Sequence, residues 1–199
     1  MDAQVQAVLD AYHEQMANEG GWGPEDADFR DRMLLPVGEE AGRFINILAR
    51  SLDKPTMLEI GTSYGYSGIW LGEAARATGG RLTTLELQDY KSAHARAMAE
   101  KAGLAAHIDF QVGDALALIE RLPPGIDFVL LDLWKNLYVP CLEAFYLKLN
   151  PGAIIVADNM LYPAGTEVAA YGRAVRAKPG MTSVLLPVGQ GLEISRYEG

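Results

Sequence analysis

Phe128-Val129-Leu130-Leu131-Asp132-Leu133-Trp134-Lys135-Asn136-Leu137-Tyr138 is the stretch from which the fold of this 199-residue chain is read. Four apolar residues, Phe128 to Leu131, stop abruptly at Asp132. A short apolar run bounded by polar residues reads as a strand buried on both faces. Ligands sit outside the carboxyl ends of parallel strands, so Asp132 and Lys135 stand where chemistry happens. A second run, Ala153 to Ala157, ends the same way in Asp158-Asn159. The two strand ends are expected to share one site.

Working outward, strands and helices alternate on both sides of this stretch. Met57–Ile60, Leu82–Leu87, Ile108–Val112, Phe128–Leu131 and Ala153–Ala157 read as strands. Helices are expected over Ser67–Ala77, Tyr90–Ala102, Ala115–Arg121, about Tyr138–Leu149 and Glu167–Ala177. Repeated strand–helix units argue for a parallel sheet with helices on both faces, an α/β fold. Ser183–Pro187 and Leu192–Arg196 close the chain as a hairpin, whose turn Val188-Gly189-Gln190-Gly191 supplies the glycines. The sheet is therefore expected to have seven strands, mostly parallel, with a C-terminal antiparallel hairpin.

Ahead of the first strand, Val5, Val8, Leu9, Tyr12 and Met16 recur at helical spacing. Phe29, Met33, Leu34 and Leu35 are expected in a short second helix ending near Pro36. Gly38 to Leu52 reads as a third, with Phe44, Ile45, Leu48 and Leu52 on one face. Residues 1–36 are thus a helical cap. Trp22, Met33 and Leu35 either pack that cap onto the body, the reading favoured here, or form a lid.

The totals bound the rest. A chain of this length suits one domain, 1–199, with a sizeable core. An apolar fraction of 49% with 22% charged residues is that of an ordinary globular protein. A net charge of −9 argues against a nucleic-acid partner. No apolar run approaches the roughly 20 residues needed to span a membrane. The polar N-terminus does not read as a signal peptide. Cys141 is the sole cysteine, which fits a reducing cytoplasm, and it reads as a small buried residue.

The turn after the first strand reads Glu59-Ile60-Gly61-Thr62-Ser63-Tyr64-Gly65-Tyr66-Ser67-Gly68. Its glycines allow a sharp turn and a close ligand approach. Their spacing is not G-x-G-x-x-G, and no GK[ST] follows, so neither a dinucleotide fingerprint nor a phosphate loop is present. Glu59 suits a cationic ligand group better than a pyrophosphate. Glu86, ending the second strand, is placed to accept from ribose hydroxyls. Asp114, in Gly113-Asp114-Ala115, either accepts from an adenine amino group or caps the next helix, and the two roles are compatible. A nucleoside with an amino-acid tail fits this set, and S-adenosylmethionine (SAM) has those parts.

The stretches EIGTSYGYS, TLELQ, VGDAL, FVLLDLWKNLY and GAIIVADN, in this order, resemble the successive motifs of class I SAM-dependent methyltransferases with their Rossmann-like fold. More narrowly, they resemble the metal-dependent O-methyltransferases that include the catechol and caffeoyl-CoA enzymes. The similarity runs from about Leu35 to Arg196. It implies that Val37, Glu59, Gly61, Ser63, Tyr66, Ser67, Glu86, Asp114, Ala115, Asp132 and Trp134 bind the cofactor. It also implies that Asp132, Asp158 and Asn159 ligate a metal, with Lys135 as general base. Trp134, Lys135, Asn159 and Pro163 would face the substrate, and a homodimer is possible. The run from Asp132 through Trp134-Lys135 to Tyr138 and Pro140 is closest to the catechol branch. Two departures stand out. The branch's glutamate for the second hydroxyl falls on Val184, and Glu193 is out of place for that role. The aromatic of its glycine turn falls on Ser63.

The chemistry requires these residue types. Two carboxylates and an amide oxygen are hard ligands suited to Mg²⁺, with Mn²⁺ or Ca²⁺ possible. A phenol ionises near pH 10, roughly, so a metal and a base are needed to make it a nucleophile at neutral pH. Lys135 is the candidate base. The expected reaction is methyl transfer from SAM to a hydroxyl of a phenolic, catechol-type small molecule. The alternatives are a caffeoyl-CoA-like or other phenolic O-methyltransferase, a non-catalytic SAM-binding module, and an NAD-dependent oxidoreductase, which the glycine spacing disfavours. His13, His94 and His107 do not cluster in sequence and are given no role.

Overall fold

A computed structural model describes residues 1–18 and 33–199 of the chain. Seven strands form its sheet: β1 (Thr56–Ile60), β2 (Arg81–Glu86), β3 (Ile108–Val112), β4 (Ile126–Leu131), β5 (Leu149–Ala157), β6 (Met181–Leu186) and β7 (Leu192–Tyr197). Their order is β3-β2-β1-β4-β5-β7-β6. The first five are parallel, and β7 runs antiparallel to its neighbours β5 and β6. The expected seven-stranded, mostly parallel sheet with a closing hairpin is what forms.

The helices are α1 (Ala3–Asn18), α2 (Glu39–Arg50), α3 (Tyr66–Thr78), α4 (Asp89–Lys101), α5 (Ala115–Arg121), α6 (Tyr138–Tyr146) and α7 (Thr166–Ala177). The first four cover one face of the sheet and the last three the other. Strand side chains alternate between two cores. Phe128 and Leu130 pack with the first group, Val129 and Leu131 with the second. All four are excluded from water. Burial of a side chain this size stabilises by about 1.5–3 kcal/mol relative to exposure, which is why a continuous apolar run specifies a central strand.

Several boundaries differ from the sequence reading, most of all around β5 and in the cap. β5 starts at Leu149 rather than Ala153, and the helix before it stops at Tyr146. The extra residues carry Pro151 and Gly152 and interrupt the β4–β5 register between Ile126 and Phe128, as proline and glycine within a strand tend to do. The short helix expected over Phe29 to Leu35 lies partly outside the described residues, as does Trp22. Its described end, Met33 to Leu35, is not helical. Leu35 has φ +42° and precedes Pro36, both of which oppose continuation of a helix.

α1 is clamped over α3. The Tyr12 hydroxyl donates to the Tyr64 carbonyl at 2.6 Å, and His13 Nε2 lies 2.9 Å from the Tyr66 hydroxyl. His94 packs edge-on against Tyr12 and Tyr64. Two histidines far apart in sequence therefore meet in one aromatic cluster, and the cluster's evident work is packing. Cys141 is buried in the second core, as read.

Strand order reverses between β1 and β4, since the chain leaves β1 toward β2 and β3 and returns to lay β4 on its other side. A crevice opens outside the carboxyl ends of strands at such a point. Gly61 follows β1 and Asp132 follows β4, so the topology delivers both sequence motifs to one place.

Candidate active site

Register sets the heart of the site. Leu131 pairs with Ala157 at the ends of β4 and β5, so the next residues, Asp132 and Asp158, are side by side. The ladder continues one step, with the Asp132 N–H donating to the Ile60 carbonyl and the Asp158 N–H to that of Leu131. Gly61 has φ +103°, and a Cβ there would come within 2.1 Å of the Asp132 carbonyl oxygen. Any larger residue would push the glycine turn away from the acid.

Lys135 closes the cluster. Its Nζ donates to Asn159 Oδ1 and the Tyr138 hydroxyl, each at 2.6 Å, and lies 3.4 Å from Asp132 Oδ1. The Tyr138 hydroxyl donates in turn to the Asp158 carbonyl at 2.9 Å. The Asn159 N–H donates to Asp158 Oδ1 at 2.7 Å. Asp158 is 1% exposed, and its other oxygen, Oδ2, is buried without a partner. Burial, then the neighbouring Asp132, push the Asp158 carboxyl up to about 8, against the Asn159 N–H and Lys135. Asp132 is raised by burial against the opposing charge of Lys135. Burial and the two acids hold Tyr138 well above the ordinary phenol range, so it stays a neutral donor.

These groups stand at the edge of a cavity of about 530 Å³, within the range of small-ligand sites. Gly61, Ser63, Glu86, Asp114, Ala115, Asp132, Trp134, Lys135, Asn159 and Pro163 all line it, as do Met33 and Leu35 from the cap. Met33 and Leu35 are thus wall residues of the cavity, where the sequence reading favoured plain packing. Trp134 is 53% exposed, an aromatic face that lacks cover. Glu86 is fixed by two backbone N–H groups, Ser63 at 2.7 Å and Gln88 at 3.0 Å. Each oxygen keeps a further lone pair for a ligand hydroxyl. Asp114 caps α5 by accepting from the Ala117 N–H, so its helix-cap role is realised.

Four of the expected cofactor residues do not line the cavity. The Tyr66 side chain turns toward α1, where His13 holds its hydroxyl. The helix starting at Tyr66 presents that side chain to the core, so it packs against α1 rather than lining the cavity. Val37 is buried in the first core. Ser67 lies against Glu59, which is fully buried just behind the turn. Thr84 donates to Glu59 Oε2 at 2.5 Å, while Oε1 has no partner. Burial lifts the Glu59 carboxyl to about 7, against the Ser67 and Thr84 hydroxyls.

Sequence reasoning missed Gln190, Lys91, Leu133 and Leu137, which also line the cavity. The available signal for Gln190 was a polar residue between two glycines of a turn, read only as hairpin chemistry. Val184 lies on the edge strand β6, half exposed, and not in the cavity lining. Glu193 lies inside, paired with Arg176 at 2.6 Å and bonded to Ser183.

The site therefore offers three side chains with hard oxygen donors, a lysine and an aromatic wall. Among the described residues no group of three or more His, Cys, Asp or Glu could hold a metal. The candidate set is instead two carboxylates and one amide. It fits a hard cation through its donors and through the unpartnered Asp158 Oδ2.

A family model described as O-methyltransferase matches residues 29–197. The chain belongs to the O-methyltransferase family. That makes it an S-adenosylmethionine-dependent O-methyltransferase by family. It is 30% identical over 177 residues to a catechol O-methyltransferase of Niastella koreensis, covering 83% of this chain and 80% of that protein. It is 34% identical over 140 residues to a catechol O-methyltransferase of Mycobacterium tuberculosis, covering 70% of this chain but only 63% of that one. Among solved structures, cofactor-bound Rv0187 from MTB superposes with TM-score 0.76 at 26% identity, over 100% of this chain and 91% of that chain. The SAM complex of TomG from Streptomyces achromogenes, at 24% identity and TM-score 0.77, shares the fold over the same shares of the two chains. In this O-methyltransferase no helix among the described residues is long and apolar enough to cross a membrane.

Proposed function

We propose that this O-methyltransferase depends on a divalent cation and methylates one hydroxyl of a catechol-type, vicinal dihydroxy aromatic small molecule. The observation that carries this reading is the convergence of Asp132, Asp158, Asn159 and Lys135 at one end of the cavity, with Asp158 Oδ2 buried and unpartnered. The catechol O-methyltransferase names of relatives at 30% and 34% identity support it.

Bound SAM supplies an electrophilic methyl group, and a divalent cation supplies the positive charge that makes a phenol more acidic. Asp132, Asp158 and Asn159 are the residues that would hold that cation. Glu86, pinned by two N–H groups, orients the ribose through its remaining lone pairs. Trp134, Pro163 and Leu35 give the cavity wall apolar surface against which an aromatic ring would pack. Lys135 Nζ takes the proton of the substrate hydroxyl. Its contacts at 2.6 Å to Asn159 Oδ1 and 3.4 Å to Asp132 Oδ1 keep Nζ beside the oxygens that would hold the cation. Most of the rate gain then comes from holding oxygen and methyl in near-attack geometry.

The test is a methylation screen with the purified chain and SAM over catechols, caffeoyl esters and flavonoids, with Mg²⁺ and with EDTA. Monomethylated catechols should form with Mg²⁺ and vanish with EDTA. Undiminished turnover in EDTA would remove the cation. Turnover of caffeoyl esters with none of catechols would move the substrate class.

A further inference from the structure

Asn159 is the one member of the candidate cation set that can be held the wrong way round. A carboxylate offers two equivalent oxygens, whereas an amide offers one oxygen and one donor nitrogen. A cation needs the oxygen. In the structure the orientation follows from a chain of partners. Lys135 Nζ is the donor in its 2.6 Å contact with Asn159, so the accepting atom is Oδ1. Nδ2 therefore faces the opposite way, and there it donates to Gln190 Oε1 at 3.0 Å.

Gln190 belongs to the turn joining β6 to β7, and the same turn holds the segment that follows Asn159. The Gln190 carbonyl accepts from the N–H groups of Leu161 and Tyr162, each at 3.0 Å, and the Gly191 carbonyl accepts from that of Met160 at 2.9 Å. Gly191 has φ +96°, and a Cβ there would lie 2.6–2.7 Å from Leu161, so the two segments touch backbone to backbone. Asn159 itself has φ +55°, a left-handed conformation that asparagine adopts more readily than most residues but that surrounding contacts must hold.

We propose that Gln190 is a positioning residue, whose side-chain oxygen holds the Asn159 amide so that Oδ1 stays on the side where Lys135 and Asp132 lie. This rests on the reading that Asp132, Asp158 and Asn159 hold a cation. It assigns to the hairpin turn a part in preparing a ligand that lies on a different strand end. Such outer partners typically alter metal affinity about 10–100-fold when removed.

The experiment measures Mn²⁺ binding by calorimetry on the full chain, without substrate, in a double-mutant cycle. Gln190→Leu removes the acceptor but keeps the backbone contacts of the turn, and Gln190→Ala serves as a second variant. Asn159→Asp replaces the amide by a group with two equivalent oxygens, which needs no orienting partner. Expected is a loss of about tenfold or more in Mn²⁺ affinity on Gln190→Leu in the native background. In the Asn159→Asp background the same change should act within about twofold. SAM affinity, measured on the same samples, should be unchanged in all of them. Native Mn²⁺ affinity in Gln190→Leu and Gln190→Ala would overturn the inference and leave the cation reading standing. An equal loss in both backgrounds, or a parallel loss of SAM affinity, would reduce Gln190 to a structural residue and overturn it too. Absence of Mn²⁺ binding by the unmodified chain would overturn the cation reading and this inference together.

Discussion

Glu193 on β7 and Asp158 at the end of β5 lie on neighbouring strands, and both are shut off from water. Glu193 is paired across the ladder with Ala157, the residue just before Asp158. Their surroundings differ in kind. Glu193 has Arg176 at 2.6 Å on one oxygen and the Ser183 hydroxyl on the other, with Ser195 supporting Ser183 at 2.7 Å. Asp158 has one backbone N–H on Oδ1 and nothing on Oδ2. A buried charge is tolerated when its lone pairs are satisfied and costs folding stability when they are not. The first acid is therefore finished as structure. The second has no partner on Oδ2 and stands beside another acid, a lysine and a cavity, the grouping that marks a candidate functional site. Glu59, with Oε1 unpartnered behind the glycine turn, resembles the second more than the first.

That contrast breaks most sharply on the open acids. Asp132→Ala or Asp158→Ala should lower Mg²⁺-dependent kcat/KM by on the order of 10³-fold or more, since a cation contributes several kcal/mol to such a reaction. Initial rates across a Mg²⁺ titration check this, and native rates from both variants would sink the assignment. Lys135→Ala should lower kcat by about 10²–10⁴-fold, the usual contribution of a general base, while SAM affinity moves little. Retained kcat in single-turnover measurements would take the base role from Lys135.

The open acids also set a pH dependence. Asp158 and Glu59 are pushed up to about 8 and about 7, above the roughly 4 of an unfolded carboxylate. Between those values the folded chain keeps protons that the unfolded chain has released. Stability in EDTA should therefore fall as pH rises from about 4 to about 8. Mg²⁺ should raise the unfolding midpoint more at pH 8 than at pH 5, because a ligating carboxylate must be deprotonated. Thermal melts at the two pH values, with and without Mg²⁺, read both effects. A midpoint in EDTA that climbs over that range would contradict the first.

The smallest effect on catalysis belongs to the satisfied acid. Glu193→Gln keeps shape but loses the charge beside Arg176, which is half exposed and can turn to water. It should cost about 1–3 kcal/mol of stability, measured by denaturant unfolding, with kcat unchanged. A large loss of kcat with unaltered stability would place Glu193 in the reaction and erase the contrast.

Much of this was legible in the chain alone. The alternation of strand and helix, the abrupt ends Leu131-Asp132 and Ala157-Asp158, and the turn at Gly61 are local patterns. Apolar runs, side-chain period and glycine punctuation are properties of consecutive residues, and burial of each run is worth enough to specify its element. The glycine turn after β1 was less legible. Glycine spacing located it, but not that Tyr66 would turn toward His13, because that direction depends on α1 packing over α3. The start of β5 was misread for a similar reason, since pairing with β4 extends it through Pro151 and Gly152 despite their low strand propensity.

What only tertiary structure decided is adjacency. Sequence determined that Asp132 and Asp158-Asn159 end strands; strand order and register made those ends neighbours and placed Lys135 among their oxygens. Neither the satisfaction of Glu193 nor the unpartnered burial of Asp158 Oδ2 is written in either residue's surroundings in sequence. Gln190 reaches Asn159 across 31 positions through a hairpin folded back beside β5. The physical reason is that a side chain's character is local, whereas the partners that satisfy it, or leave it open, come from whichever distant segments the sheet brings alongside.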